Sequence, residues 1–289
     1  DGPQAWPSIS VKLSALHPRY EFGRRAQVLG ELGARVEALA LQASAAGVAL
    51  TIDAEEADRL ELSLELLDLL LHQPRLAGWE GLGLAVQAYL KRAPDVLRFI
   101  SRRADETGRM LNVRLVKGAY WDSEIKRAQE RGLPGYPVYT RKQNTDLAYL
   151  ACVRLLLEGS RRVYPQFATH NAHTAASVIH LASQHRREFE FQRLHGMGEE
   201  LYAELTDPVG RALPCRVYAP VGSHEELLPY LVRRLLENGA NTSFVNRIVD
   251  DALPVEQVVD DPVTQVERTG PGPHPRIPLP VALFGAERR

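Results

Sequence analysis

Arg114 and Lys117 bracket a two-residue apolar pair in RLVKGAYWDSE (114–124), and the segment then turns through Gly-Ala-Tyr-Trp. Leu115 and Val116 suit a buried strand. Two cations around them suit a strand that ends at an anionic or electron-rich ligand. Lys12, in SISVKLS, raises a related choice. A lysine whose pKa is lowered by burial can form a Schiff base, whereas one paired to a carboxylate stays a fixed cation. Asp53, at the end of VALTIDAEE, is the expected partner of Lys12, and Lys117 faces the same alternative. ATHNAH (168–173) places His170 near His173, with Asp53, Glu55 and Glu56 available elsewhere. The spacing is neither H-x-H nor H-E-x-x-H, so no metal site is expected.

A fourth group lies in SHEELLPYLVRRLLENG (223–239). Ser223 and Glu226 form a capping box, and Gly239 can close the helix. Leu228, Leu231, Val232, Leu235 and Leu236 share one side. Tyr230, Arg233, Arg234 and Glu237, spaced i, i+3, i+4, i+7, share the other. Two guanidiniums on a helix over a cavity can grip a carboxylate, because the planar fork matches two oxygens. The same spacing also describes a solvated amphipathic face.

These residues recur at the ends of strand-like runs. The runs are 8–14, 48–56, 82–89, 111–120, 163–171, 189–196 and 215–222, with helical patterns such as VLGELGARVEALALQASAAG and RLELSLELLDLLLHQ between them. Alternation of this kind predicts parallel βα units. Each run is apolar first and polar at its C-terminal end, where Lys12, Asp53, Gln87, Lys117, His170, Gln192 and Tyr218 stand. An active site fed by every strand end is the arrangement of a (βα)8 barrel; a doubly wound sheet gathers ligands at a switch point. Seven runs are visible where a barrel needs eight, and the missing strand is expected upstream. GLGLAV and GMGEEL lack the third glycine of a dinucleotide fingerprint. Residues 1–249 are expected to form the barrel with a cap helix over 223–238. Residues 250–289, rich in proline and charge, are read as a linker or extended surface segment.

The chain has 289 residues, 25% of them charged, and a net charge of −1, so no global field favours nucleic acid. Two cysteines, Cys152 and Cys215, form no framework and suit a reducing compartment. No apolar stretch approaches the roughly 18–20 residues of a membrane span, and the first residues do not read as a signal peptide.

Taken together, SVKLSALHPRYEF, IDAEEADRLELSLELLD, RLVKGAYWDSEIKRAQ, GYPVYTRK, YPQFATHNAH, HGMGEELY, APVGSHEELLPYLVRRLLENGANTSFVNR and HPRIPLP resemble the proline dehydrogenase domain of bacterial proline utilisation A over nearly the whole chain. The resemblance implies a distorted (βα)8 barrel binding FAD at the strand C-termini. It implies oxidation of L-proline to Δ1-pyrroline-5-carboxylate, with reoxidation by a membrane quinone. A pyrroline-5-carboxylate dehydrogenase domain is expected to follow in the parent protein, which would be cytoplasmic and peripheral to the inner membrane. By the same resemblance Arg114 reaches the flavin near N5. Val116, Lys117, Gly118 and Ala119 run beside it, with Gly118 allowing a close backbone approach. Tyr120 and Trp121 supply pocket wall and packing, and Gln87 bonds the isoalloxazine edge. Asp53, Thr140, Thr169, His170, Asn171, Gln192, Arg234, Glu237 and Ser243 line the rest of the cofactor. Lys12, Arg233 and Arg234 meet the proline carboxylate, while Leu115, Tyr120, Tyr218 and Tyr230 enclose the ring. Lys12, Asp53, Arg114, Tyr120, Arg233 and Arg234 form the expected catalytic set. No cysteine or histidine sits in a motif for flavin attachment, so FAD is expected to be noncovalent.

Overall fold

A computed structural model describes residues 5–206, 209–210, 212–228, 230–232 and 261–283, together with the backbone of the helix His224–Gly239. Among the described residues, seven strands form one sheet: β1 (Ser8–Val11), β2 (Ala49–Ile52), β3 (Leu82–Gln87), β4 (Leu111–Val116), β5 (Val163–Ala168), β6 (Glu190–Leu194) and β7 (Cys215–Tyr218). They lie in sequence order, every neighbouring pair parallel. The sheet curls with helices outside it, the architecture of a distorted (βα)8 barrel.

Among the described residues, the helices of six or more residues are α1 (Gly33–Ala45), α2 (Leu60–Leu71), α3 (Ala93–Thr107), α4 (Trp121–Arg131), α5 (Lys142–Glu158), α6 (Ala172–His185), α7 (Glu199–Glu204), α8 (His224–Gly239) and α9 (Pro262–Thr269). α1 continues a π-helical turn, Val28–Leu32. The first five connections follow from sequence: apolar period on one face, and Gly108 and Gly132 in the left-handed conformation ending α3 and α4.

Strand parity divides the sheet into two chemistries, because successive side chains alternate faces. Leu50, Ile52, Leu84, Val86, Val113, Leu115, Phe167 and Phe191 are at most 2% exposed and form the core beneath the helices. The opposite parity carries Ser10, Thr51, Asn112, Arg114, Gln166, Glu190, Gln192 and Arg216, and hydrogen bonds join several of them across the barrel interior. At the two edges, the outer residues Ile9 of β1 and Val217 of β7 are 50% and 45% exposed. Arg216 Nη1 donates to the Trp6 carbonyl at 2.7 Å, tying β7 to the residues before β1.

Each strand ends sooner than its sequence run. β2 stops at Ile52; Asp53 N still donates to the Val11 carbonyl at 2.9 Å, and side chains help to fix the rest of the DAEEAD segment. Glu55 Oε1 accepts from Ser14 N at 3.0 Å, and Glu124 Oε1 accepts from Ala57 N at 2.6 Å. The segment after residue 260 also differs from the extended expectation. Asp261 caps α9 by accepting from Val263 N and Thr264 N, and Pro262 takes the first turn, where no N–H is needed. This part packs on α5: Asn144 Nδ2 donates to the Pro271 carbonyl at 3.0 Å, and His274 N to Thr140 Oγ1 at 2.9 Å.

The capping box of α8 is present. Ser223 N donates to Glu226 Oε2 at 2.8 Å, and Glu226 N to Ser223 Oγ at 3.4 Å. Of its apolar stripe, the described residues Leu228, Leu231 and Val232 are 55%, 42% and 48% exposed.

Candidate active site

The site is built around Arg114, on the inner face of β4 and 5% exposed. Its three nitrogens are held from three different strands or their ends. Nε donates to Gln192 Oε1 at 2.6 Å, Nη1 to Asp53 Oδ1 at 2.9 Å and Nη2 to Ser10 Oγ at 2.6 Å. The guanidinium carbon lies 5.0 Å from the centre of the Tyr218 ring, a cation–π distance. A cation fixed in this way needs no rearrangement to stabilise charge that develops beside it.

Asp53 is shared. Its Oδ2 accepts from Lys12 Nζ at 3.2 Å, and Lys12 also reaches the Tyr120 hydroxyl at 3.4 Å. Burial alone would lower the Lys12 pKa, but Asp53 and Tyr120 outweigh it and hold the ammonium above its ordinary value. Lys12 is therefore a cation, and the expected pairing with Asp53 is what the structure contains. Lys117 differs. Burial pulls its pKa below the ordinary lysine value, with Asp146 opposing and Lys142 adding to the fall. Lys117 and Lys142 both donate to Asp146.

The other expected residues fall into local groups. Gln87 bridges two loops: Nε2 donates to the Glu55 carbonyl at 2.8 Å, and Oε1 accepts from Ala119 N at 3.1 Å. The Val116 and Lys117 carbonyls accept from Ala88 N and Tyr89 N, both at 2.8 Å, so 116–119 is stitched to the end of β3. Trp121 Nε1 donates to the Tyr139 carbonyl at 2.8 Å. His170 Nε2 accepts from Leu194 N at 3.2 Å, Asn171 caps α6 by accepting from Thr174 N, and Thr169 Oγ1 accepts from Asn171 N. Thr140 is turned to the 261–283 segment through His274. Tyr230 lies on α8; the side chains of Arg233, Arg234 and Glu237, and all of Ser243, lie outside the described residues.

One expectation is corrected. Leu115 does not line the mouth. It follows Arg114 by one residue, so its side chain takes the other face of β4, where it is 0% exposed among the core residues. Gly118 is also required by packing within the chain itself. At φ 148°, a Cβ would stand 2.4 Å from the Tyr89 ring. Gly118→Ala is expected to destabilise the fold by about 2–4 kcal/mol, through overpacking and backbone strain together. A denaturation midpoint unchanged from the parent would show that the 117–119 turn yields freely.

Two contributors were missed. Ser10 stands two residues before Lys12 on the same strand face. Leu194 stands two after Gln192, pairs in register with Tyr218 and is 3% exposed, which gives the mouth an apolar wall beside that tyrosine. Period-two counting from Lys12 and Gln192 would have found both.

The residues present fit a flavin. A buried, pre-held guanidinium faces the mouth, and an amide-lined turn (116–119) borders it.

The chain matches the family described as Proline dehydrogenase over residues 1–247. It belongs to the proline dehydrogenase family. The bifunctional protein PutA of Salmonella typhimurium is 56% identical over 293 aligned residues, covering 98% of this chain and 22% of that protein. Its counterpart in Rhizobium meliloti is 55% identical, covering 98% of the chain and 23% of the relative. A crystal structure of a Bradyrhizobium japonicum proline utilisation A variant superposes with a TM-score of 0.92 at 55% identity, over 98% of this chain and 29% of that one. The chain thus spans less than a quarter of the length of these two PutA relatives. The proline dehydrogenase fold accounts for the parallel order of β1–β7 and for polar residues collected at their C-terminal ends.

Proposed function

We propose that the chain is the catalytic domain that oxidises L-proline to Δ1-pyrroline-5-carboxylate, using noncovalent FAD, and that the parent protein returns the electrons to a membrane quinone. The observation that carries this reading is the Arg114–Asp53–Lys12 network at the strand C-termini of a proline dehydrogenase fold. When bound, FAD supplies the hydride acceptor.

The chain's own residues would orient the reaction. Lys12, kept protonated, would share the proline carboxylate with Arg233 and Arg234. Tyr120, Tyr218, Tyr230 and Leu194 would enclose the ring and exclude water, turning its nitrogen-bearing carbon away from the carboxylate grip. Holding reactants in a near-attack geometry supplies much of such a barrier reduction. Arg114 would stabilise the electron-rich reduced cofactor, Gln87 would bond its edge, and Val116–Trp121, Thr140, Thr169–Asn171, Gln192, Glu237 and Ser243 would line the remainder. The amine proton would leave to water.

The relatives are named bifunctional and are several times longer, which supports a second catalytic domain, a pyrroline-5-carboxylate dehydrogenase, in the parent. Among the described residues no helix is long and apolar enough to cross a membrane. The quinone step of this reading would bring the parent protein to the inner membrane peripherally, from the cytoplasm.

The test is the visible spectrum of the purified protein. Flavin bands bleached by anaerobic proline are expected, and acid precipitation should leave all the yellow colour in the supernatant. Colour retained in the pellet would contradict noncovalent binding. The lowered pKa of Lys117 favours one competitor, a Schiff-base lyase. A colourless protein trapped by borohydride with a keto substrate would establish that chemistry instead, and a yellow protein inert to proline would mark a binding domain.

A further inference from the structure

Glu190, on the inner face of β6, has no role in the site described above, yet it is 3% exposed and fully engaged. Its Oε1 accepts from Gln192 Nε2 at 2.8 Å, Gln166 Nε2 at 3.0 Å and Arg216 Nε at 2.8 Å; its Oε2 accepts from Arg216 Nη2 at 3.0 Å. Gln192 connects this carboxylate to Arg114, because Gln192 Oε1 accepts from Arg114 Nε at 2.6 Å. A glutamine amide has one donor end and one acceptor end. Only the donor end can face a carboxylate, and only the acceptor end can face a guanidinium.

We propose that Glu190 is a positioning residue: it fixes the orientation of the Gln192 amide and thereby holds Arg114 in the plane from which it acts on the flavin. The inference rests on the proposed flavin reading of the mouth. Three nitrogens of Arg114 are held, but the partners are unequal. Ser10 offers a hydroxyl that can rotate, and Asp53 is shared with Lys12. Gln192 is the partner whose polarity is set from beneath. Without the carboxylate, its amide can turn over, present N–H groups to Arg114 and expel the guanidinium from its plane. Arg216 anchors Glu190 from the far side by two hydrogen bonds, so the chain Arg216–Glu190–Gln192–Arg114 runs from the barrel interior to the mouth. Chains of this kind in a low-dielectric interior hold each member more firmly than isolated pairs do.

The competing role is structural, since Arg216 also closes the β7–β1 edge through Trp6. The experiment separates the two in the full-length holoprotein. Glu190→Gln, Gln192→Leu, the double variant and Arg216→Lys are compared for flavin midpoint potential, FAD affinity of the apoprotein and the rate of anaerobic reduction by proline. Glu190→Gln should lower the potential and slow reduction about tenfold, the weight of one charge-assisted hydrogen bond. On the Gln192→Leu background the same change should alter the rate by no more than about twofold. Arg216→Lys, which keeps a charged donor beside Glu190, should lower the melting temperature and shift the potential less than Glu190→Gln does. An unshifted potential in Glu190→Gln would overturn the proposal, as would full additivity with Gln192→Leu, or an Arg216→Lys variant that reproduces the shift. If Glu190→Gln does not fold, Glu190→Asp, which keeps the charge but withdraws it by one methylene, is read by the same criteria. A parent protein that holds no flavin would overturn both this inference and the functional reading; a flavin-bearing, proline-oxidising parent with a silent Glu190 overturns this inference alone.

Discussion

Arg114→Met is expected to slow reduction of the flavin by proline about 10²–10³-fold and to lower the flavin midpoint potential. The magnitude is that of removing one preorganised donor from a site where charge develops. Methionine keeps the length and much of the volume of the arginine stem but none of its donors. Gln192 Oε1 then loses a 2.6 Å partner and Asp53 Oδ1 a 2.9 Å partner, although Asp53 keeps Lys12 at 3.2 Å. Leaving such groups unpaired costs about 1–3 kcal/mol each, so the variant should also melt earlier. Measuring potential and reduction rate only in protein that retains FAD separates the two effects. Proline affinity should fall less than the reduction rate, because Arg114 is assigned to the cofactor side of the mouth. Arg114→Lys should recover part of the potential, since it restores charge but one nitrogen in place of three. A variant that binds FAD at the parent's potential would remove Arg114 from this role.

The fold was legible because the strands announce themselves twice, by β-rich apolar runs and by a polar residue at each C-terminal end. Their lengths were not, because the ends of β2 and β4 are set by which neighbour offers a partner. Beyond Asp53, whose N–H still meets the Val11 carbonyl, the partners are side chains: Gln87 for the Glu55 carbonyl and Glu124 for the Ala57 N–H. The Lys12–Asp53 pair could be read from adjacent strand ends. The Arg114 hub could not, since Ser10, Asp53 and Gln192 come together only when the sheet curls; in sequence they lie 104, 61 and 78 residues from Arg114. Parity was available and would have excluded Leu115 once Arg114 was placed inside. The glycine of the 117–119 turn was visible, but the Tyr89 ring that also excludes a Cβ there is a packing fact. α9 escaped notice because eight residues give barely two turns, too few to show a period, while its Asp-Pro start was in plain view.

Arg233→Met and Arg234→Met are each expected to raise the KM for proline by tens-fold to thousands-fold while the fold survives. Adjacent residues stand about 100° apart around a helix, so both can serve one ligand only when it sits between them. A carboxylate in a closed, water-poor mouth suits that geometry. Truncating one partner of a buried charged contact costs roughly 2–5 kcal/mol, which at about 1.4 kcal/mol per decade gives the stated range. An exposed arginine costs about 0–1 kcal/mol. The helix that bears them is held at its start by the Ser223–Glu226 box and leaves Leu228, Leu231 and Val232 exposed. Arg→Lys should rescue only in part, because an ammonium lacks the bidentate fork. Tetrahydrofuran-2-carboxylate, which keeps the carboxylate and ring without the oxidisable amine, should inhibit the parent competitively and the Met variants poorly. Parent-like KM and inhibitor affinity in both variants would return α8 to a solvated face and leave Lys12 as the cation that meets the carboxylate.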